Sequence, residues 1–95
     1  MSAAGLDPGI ELARLCRALG HPARVAIVRY LEGRGGACPA GDIVAQVPLA
    51  QSTVSRHLRV LAEAGLLLAS PAPPRVLYRL DRQVLEAFRR AVSAL

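Results

Sequence analysis

The chain has 95 residues, room for one small domain rather than two. At 53% hydrophobic and 20% charged it is not a disordered chain, and no apolar run approaches the roughly 20 residues of a membrane span. The formal net charge of +5 is carried by arginine alone, and the excess concentrates in residues 51–80, where Arg56, Arg59, Arg75 and Arg79 face only Glu63, as a nucleic-acid footprint would.

Residues 1–8 read as a loose leader without a basic-then-apolar signal, so a cytoplasmic protein is expected, with residues 9–95 as its single domain. From Gly9, Leu12, Leu15, Cys16 and Leu19 follow the spacing of one helical stripe, which makes Cys16 a small buried hydrophobe. Gly20 ends that helix, His21 stands near the next cap, and Pro22 suits a first turn. The second helix, about 22–33, turns Ile27, Val28 and Leu31 inward, and GRGGACPAG (33–41) breaks the pattern and puts Cys38 in a loop. A short third helix follows, with Asp42 in its first turn and Ile43, Val44 and Val47 as buried contacts, and Pro48 forbids its continuation.

The fourth helix, QSTVSRHLRVLAEAG, begins with Gln51 or Ala50 near its cap and closes at Gly65. Two short strands, LLLAS and RVLYRL, are then joined by a stiff PAPP tip, with Val76, Tyr78 and Leu80 alternating against Leu77 and Arg79. Asp81 caps a last helix whose stripe is Val84, Leu85, Phe88 and Val92. The expected class is mainly α with one hairpin, in the order α-α-α-α-β-β-α.

The fourth helix has an unusual outer face. At about 100° per residue, Val54, Leu58 and Leu61 share a narrow arc, and Ser52, Ser55, Arg56, Arg59 and Glu63 lie opposite. Small hydroxyls allow close approach to a surface, N–H groups at a helix N-terminus bind phosphate, and arginine reaches phosphate or guanine edges in a groove about 12 Å wide. With the short helix before it, the layout is a helix-turn-helix, and the hairpin after it has the position of a wing with Arg75 at its edge. Arg79 reads as a solubilising strand charge. His57 lies at the border of the apolar arc and reads as a packed structural residue.

LCRALGHPARVAIVRYL (15–31), LAQSTVSRHLRVLAEAGLL (49–67) and RVLYRL (75–80) make the chain resemble the ArsR/SmtB family of winged-helix repressors over residues 10–92. The resemblance implies a winged helix-turn-helix that forms a homodimer through its first and last helices. It implies binding to double-stranded DNA at an inverted-repeat operator, and release by a metal, metalloid or oxidant. It places Gln51, Ser52, Thr53, Ser55, Arg56 and His57 on recognition-helix positions, to which the helical wheel adds Arg59 and the wing adds Arg75.

The family's metal sites are not matched. Residues 40–47 have no Cys-x-Cys, and residues 81–95 have no His, so neither site offers the N and S donors that a borderline metal requires. The proline-rich tip also lacks the usual glycine and basic residues of the wing. Cys38 falls where some arsenic-responsive relatives carry a ligand, and both sensing and inert readings stay open for it; Cys16 is the other weak candidate. The cofactor is therefore unknown, and a winged-helix module without its own sensor is the alternative function. No nucleophile–base spacing or phosphate-cradling loop supports an enzyme.

Overall fold

The computed structural model describes residues 8–95, so the leader expected over 1–8 lies outside the described residues apart from Pro8. Helix α1 (Pro8–Ala18) buries Leu15 and Ala18, spaced three apart. That strip is narrow. One residue past Leu15, rotation by about 100° turns Cys16 to solvent, so Cys16 is exposed and not the buried hydrophobe its spacing suggested.

Helix α2 (Pro22–Arg34) starts as its sequence predicts. Pro22 occupies the first turn, and Nδ1 of His21 accepts from the Ala23 N–H at 3.2 Å. Ile27, Val28 and Leu31 are buried. The segment after it is not the loop expected. Cys38–Pro39 forms a two-residue strand, β1, and Cys38 has no exposed surface. Helix α3 (Ala40–Val44) buries Ile43; Val47 is also buried, in the turn beyond the helix.

Helix α4 (Gln51–Glu63) carries the interior of the domain. Val54, Leu58 and Leu61 are each 0% exposed. Its N-cap is Ala50, so no side chain caps it there. At the other end Leu66 N–H donates to the Leu61 carbonyl and Gly65 N–H to the Ala62 carbonyl, both at 3.0 Å, with Gly65 at φ 88°. This pair of bonds reverses the chain and feeds it into the hairpin.

Strands β2 (Leu67–Ala72) and β3 (Arg75–Leu80) pair antiparallel from Leu67 with Leu80 to Ala72 with Arg75. The sheet order is β1-β3-β2, with Cys38 opposite Tyr78 across the β1–β3 pair. The tip is shorter than expected. Pro71 sits within β2 opposite Val76, and only Pro73 and Pro74 turn the chain. An edge strand tolerates a proline because its missing N–H can face outward. Leu80 is buried at the wing's base, whereas Val76 near the tip is 41% exposed, because the hairpin outruns the core.

Asp81 caps α5 (Arg82–Ser93) by accepting from the N–H groups of Gln83 and Val84. Only Leu85 of its stripe is buried; Val84 and Phe88 are half-buried and Val92 is exposed. The side chain of Arg14 donates to the Ala64 carbonyl at 2.9 Å and fastens α1 to the end of α4.

Two glycines give opposite expectations. A Cβ at Gly65 would meet nothing within 4 Å, so Gly65→Ala pays only for its positive φ, about 1–2 kcal/mol. Gly33 lies in α2 with open space and no positive φ, so Gly33→Ala should stabilise by roughly 0.5–1 kcal/mol. Urea melts at fixed protein concentration should show the two midpoints moving in opposite directions.

Candidate nucleic-acid interface

The helix-turn-helix is α3, the connection 45–50, and α4. The hydrophobic reverse of α4 decides its orientation, since each fully buried Val or Leu contributes about 1.5–3 kcal/mol. With Val54, Leu58 and Leu61 inward, Gln51, Ser52, Arg56 and Arg59 are exposed and Thr53 and Ser55 half-exposed. The first N–H groups of α4 have no side-chain cap, and they open along the helix axis at the end where Gln51 and Ser52 are exposed.

Five of the twelve arginines, Arg14, Arg24, Arg34, Arg82 and Arg89, each donate to an atom within the domain. The other seven, Arg17, Arg29, Arg56, Arg59, Arg75, Arg79 and Arg90, make no side-chain hydrogen bond or ion pair among the described residues. Four of those seven, Arg56, Arg59, Arg75 and Arg79, fall in the segment with the charge excess.

The wing completes the surface on one side. A cleft of about 440 Å³ runs between α3, α4 and the hairpin, and Ser55 and Arg75 both line it. The fold thus brings those two site residues together, with Asp42 at the same cleft and Leu58 at its floor. Glu63, the only acid of α4, lies at the helix's other end.

Behind this face sits a polar contact that no spacing announces. His57 is 5% exposed, in agreement with its placement at the border of the apolar arc. Its Nδ1 accepts from Nε of Arg24 at 3.0 Å, and the same guanidinium donates through Nη1 to the Ala18 carbonyl at 3.3 Å. The His21 ring lies 4.4 Å from the His57 ring, centroid to centroid. Burial pushes the His57 imidazole below its ordinary pKa, and the charges of His21, Arg24 and Arg56 push it the same way. Nothing in the sequence pairs Arg24 with His57, 33 residues away.

Among the described residues, no three His, Cys, Asp or Glu side chains come together in a metal-binding group. The Cys38 thiol is enclosed and directed at the Pro39 carbonyl, 3.6 Å away. No described helix is long and apolar enough to cross a membrane.

Residues 19–68 match a family model described as a helix-turn-helix domain. The HTH-type transcriptional regulator CmtR of Mycobacterium tuberculosis is 41% identical over 85 residues, which is 88% of this chain and 70% of that protein. The crystal structure of a possible transcriptional regulator for arsenical resistance superposes with a TM-score of 0.74 at 32% identity, covering 82% of this chain and 79% of the other. The homodimeric winged helix-turn-helix DNA-binding domain Mb0332 of Mycobacterium bovis, a possible ArsR-family transcriptional regulator, gives 0.72 at 25% identity, over 88% of this chain and 77% of that one. The fold, the recognition helix and these likenesses agree: the chain belongs to the ArsR/SmtB family of winged helix-turn-helix transcriptional regulators, DNA-binding proteins rather than enzymes.

Proposed function

We propose that the protein is a dimeric repressor that lays α4 in the major groove of an operator and releases it in response to a metal, metalloid or redox signal. One observation carries the DNA-contact part of this reading: α4, held from behind by Val54, Leu58 and Leu61, turns Gln51, Ser52, Arg56 and Arg59 outward together, and neither arginine has an internal partner. Gln51, Ser52, Thr53 and Ser55 supply short polar contacts at the helix's N-terminal end. Arg56 and Arg59 meet phosphate or guanine, and Arg75 reaches the flanking backbone.

Dimerisation is supported by the face that α1 and α5 leave uncovered. Leu12, Leu15, Val84, Ala87, Phe88 and Ala91 line a groove of about 280 Å³ whose only polar lining residue is Glu11. Val92 and Leu95 continue the apolar surface beyond it, at 42% and 92% exposed. A two-fold pair closed through these helices presents two copies of α4, and an operator with inverted half-sites about one helical turn apart is the matching DNA. Such a repressor works in the cytoplasm.

A module without a sensor of its own is the second reading, and the enclosed Cys38 favours it. A signal read by thiol chemistry must start at an accessible thiol, and Cys16 is the exposed one. Under the sensing reading, Cys16→Ser should raise the arsenite or peroxide concentration needed for DNA release more than Cys38→Ser does. Release of the parent and both variants at the same concentrations would exclude both thiols as the sensor, and no release by arsenite, peroxide, Zn²⁺ or Ni²⁺ would leave the sensorless reading.

The DNA contacts are tested with a duplex selected in vitro by the parent protein. Arg56→Ala and Arg59→Ala should each weaken binding by roughly 1–3 kcal/mol where a base edge is read. Each lost phosphate contact should also lower the slope of log K against log salt by about one. Binding equal to the parent's at every salt concentration would refute this placement.

A further inference from the structure

We infer that Arg24 is a positioning residue for the recognition helix, acting through neutral His57, and that a proton on His57 breaks this tie and weakens DNA binding. The inference rests on the reading of α4 as the DNA-contacting helix.

The geometry is specific about protonation. Nδ1 of His57 accepts from Nε–H of Arg24 at 3.0 Å, so the ring proton of the neutral imidazole sits on Nε2. That Nε2 is buried and has no acceptor among the described residues. A second proton must therefore go to Nδ1. Two N–H groups would then face each other across 3.0 Å, both on cations, and the bond is lost.

The surroundings offer no relief. His21 stands against the ring from the N-terminus of α2, Arg24 reaches it from within α2, and Arg56 flanks it on α4. From α1 the contact is through the Ala18 carbonyl, which Arg24 holds with its other nitrogen. Arg14, Arg17 and Glu63 line the groove that Arg24 shares, and none of them is among the charges that act on His57. No carboxylate stands by to stabilise an imidazolium.

Arg24 thus joins three elements. It satisfies the last carbonyl of α1, which has no partner within its own helix, and it holds the one polar side chain on the inner face of α4. His57 directly follows Arg56 and precedes Arg59 by two residues, so a displacement of the helix at His57 carries both arginines with it.

The sign of the effect separates this device from ordinary electrostatics. Because the folded state holds the imidazole below its ordinary value of about 6.5, the unfolded chain binds the proton first. Stability is complete above that value and declines as pH falls toward the folded-state value. DNA affinity should follow at lower pH, approaching a slope of about tenfold per pH unit for each protomer. Added positive charge alone would strengthen DNA binding on acidification.

The test is fluorescence anisotropy with the selected duplex from pH 7.5 to 5.0 at constant ionic strength. Circular dichroism and sedimentation at each pH confirm that the protein stays folded and in one association state. The parent should lose affinity as pH falls. His57→Asn keeps an acceptor for Arg24 but cannot be protonated, so, whatever its affinity at pH 7.5, it should lose the acid-induced weakening. Arg24→Met should bind several-fold more weakly at pH 7.5, with a shallower acid dependence. In the parent, the Arg24 Nε–H resonance should weaken with the same midpoint as the affinity. A parent profile that is flat or rises on acidification, or a His57→Asn profile that matches it, overturns the inference. Arg56→Ala, measured alongside, distinguishes the two levels: parent-like binding by that variant would instead refute the reading of α4.

Discussion

The outward face of α4 depends on three side chains that never reach the surface. Val54, Leu58 and Leu61 lie wholly inside, and their spacing of four and three residues permits one rotation of α4 about its axis. Burying them contributes several kcal/mol, whereas an exposed ion pair such as Arg89 with Glu32 is screened by solvent and contributes little. The apolar arc therefore wins, and the Ser/Arg face is outward as its consequence. The neighbouring elements serve the same end: Gly65 stops the helix and starts the wing, and Arg14 fixes α1 to its last turn.

The free arginines then acquire their meaning from what surrounds them. Arg34 and Arg82 donate to internal carbonyls, whereas the arginines of α4 and the wing, like Arg17, Arg29 and Arg90, donate to none. What sets α4 apart is that Arg56 and Arg59 share an exposed face with small hydroxyls, and the only acid of α4 is at its distal end. Charge, exposure and the uncapped helix N-terminus thus favour an anionic polymer over a small polar ligand. The ArsR/SmtB membership agrees with that chemistry without supplying it.

Where local periodicity governs, the fold was legible in the sequence. The helices, the caps at His21 and Asp81, the outward face of α4 and the packed position of His57 all follow from spacing and cap chemistry. What escaped were pairings between distant segments. β1 is two residues long and exists only because β3 lies beside it, so Cys38 read as a loop residue until Tyr78 was found opposite. Pro71 looked like part of a turn because an edge strand's indifference to a missing N–H is a property of the sheet. Cys16 shared a helical stripe on paper, yet α1 buries only the strip through Leu15 and Ala18. The Arg24–His57 contact spans 33 positions and has no signature at either end.

Amide and arginine side-chain NMR spectra of the protein, recorded with and without the selected duplex, locate the surface that meets DNA. If that surface is the outer face of α4, large shifts fall on Ser52, Ser55, Arg56 and Arg59, smaller ones on Arg75, and little change on Glu86 and Arg90 of α5. Shifts concentrated on α1 and α5, with the α4 resonances unmoved, would place the DNA elsewhere.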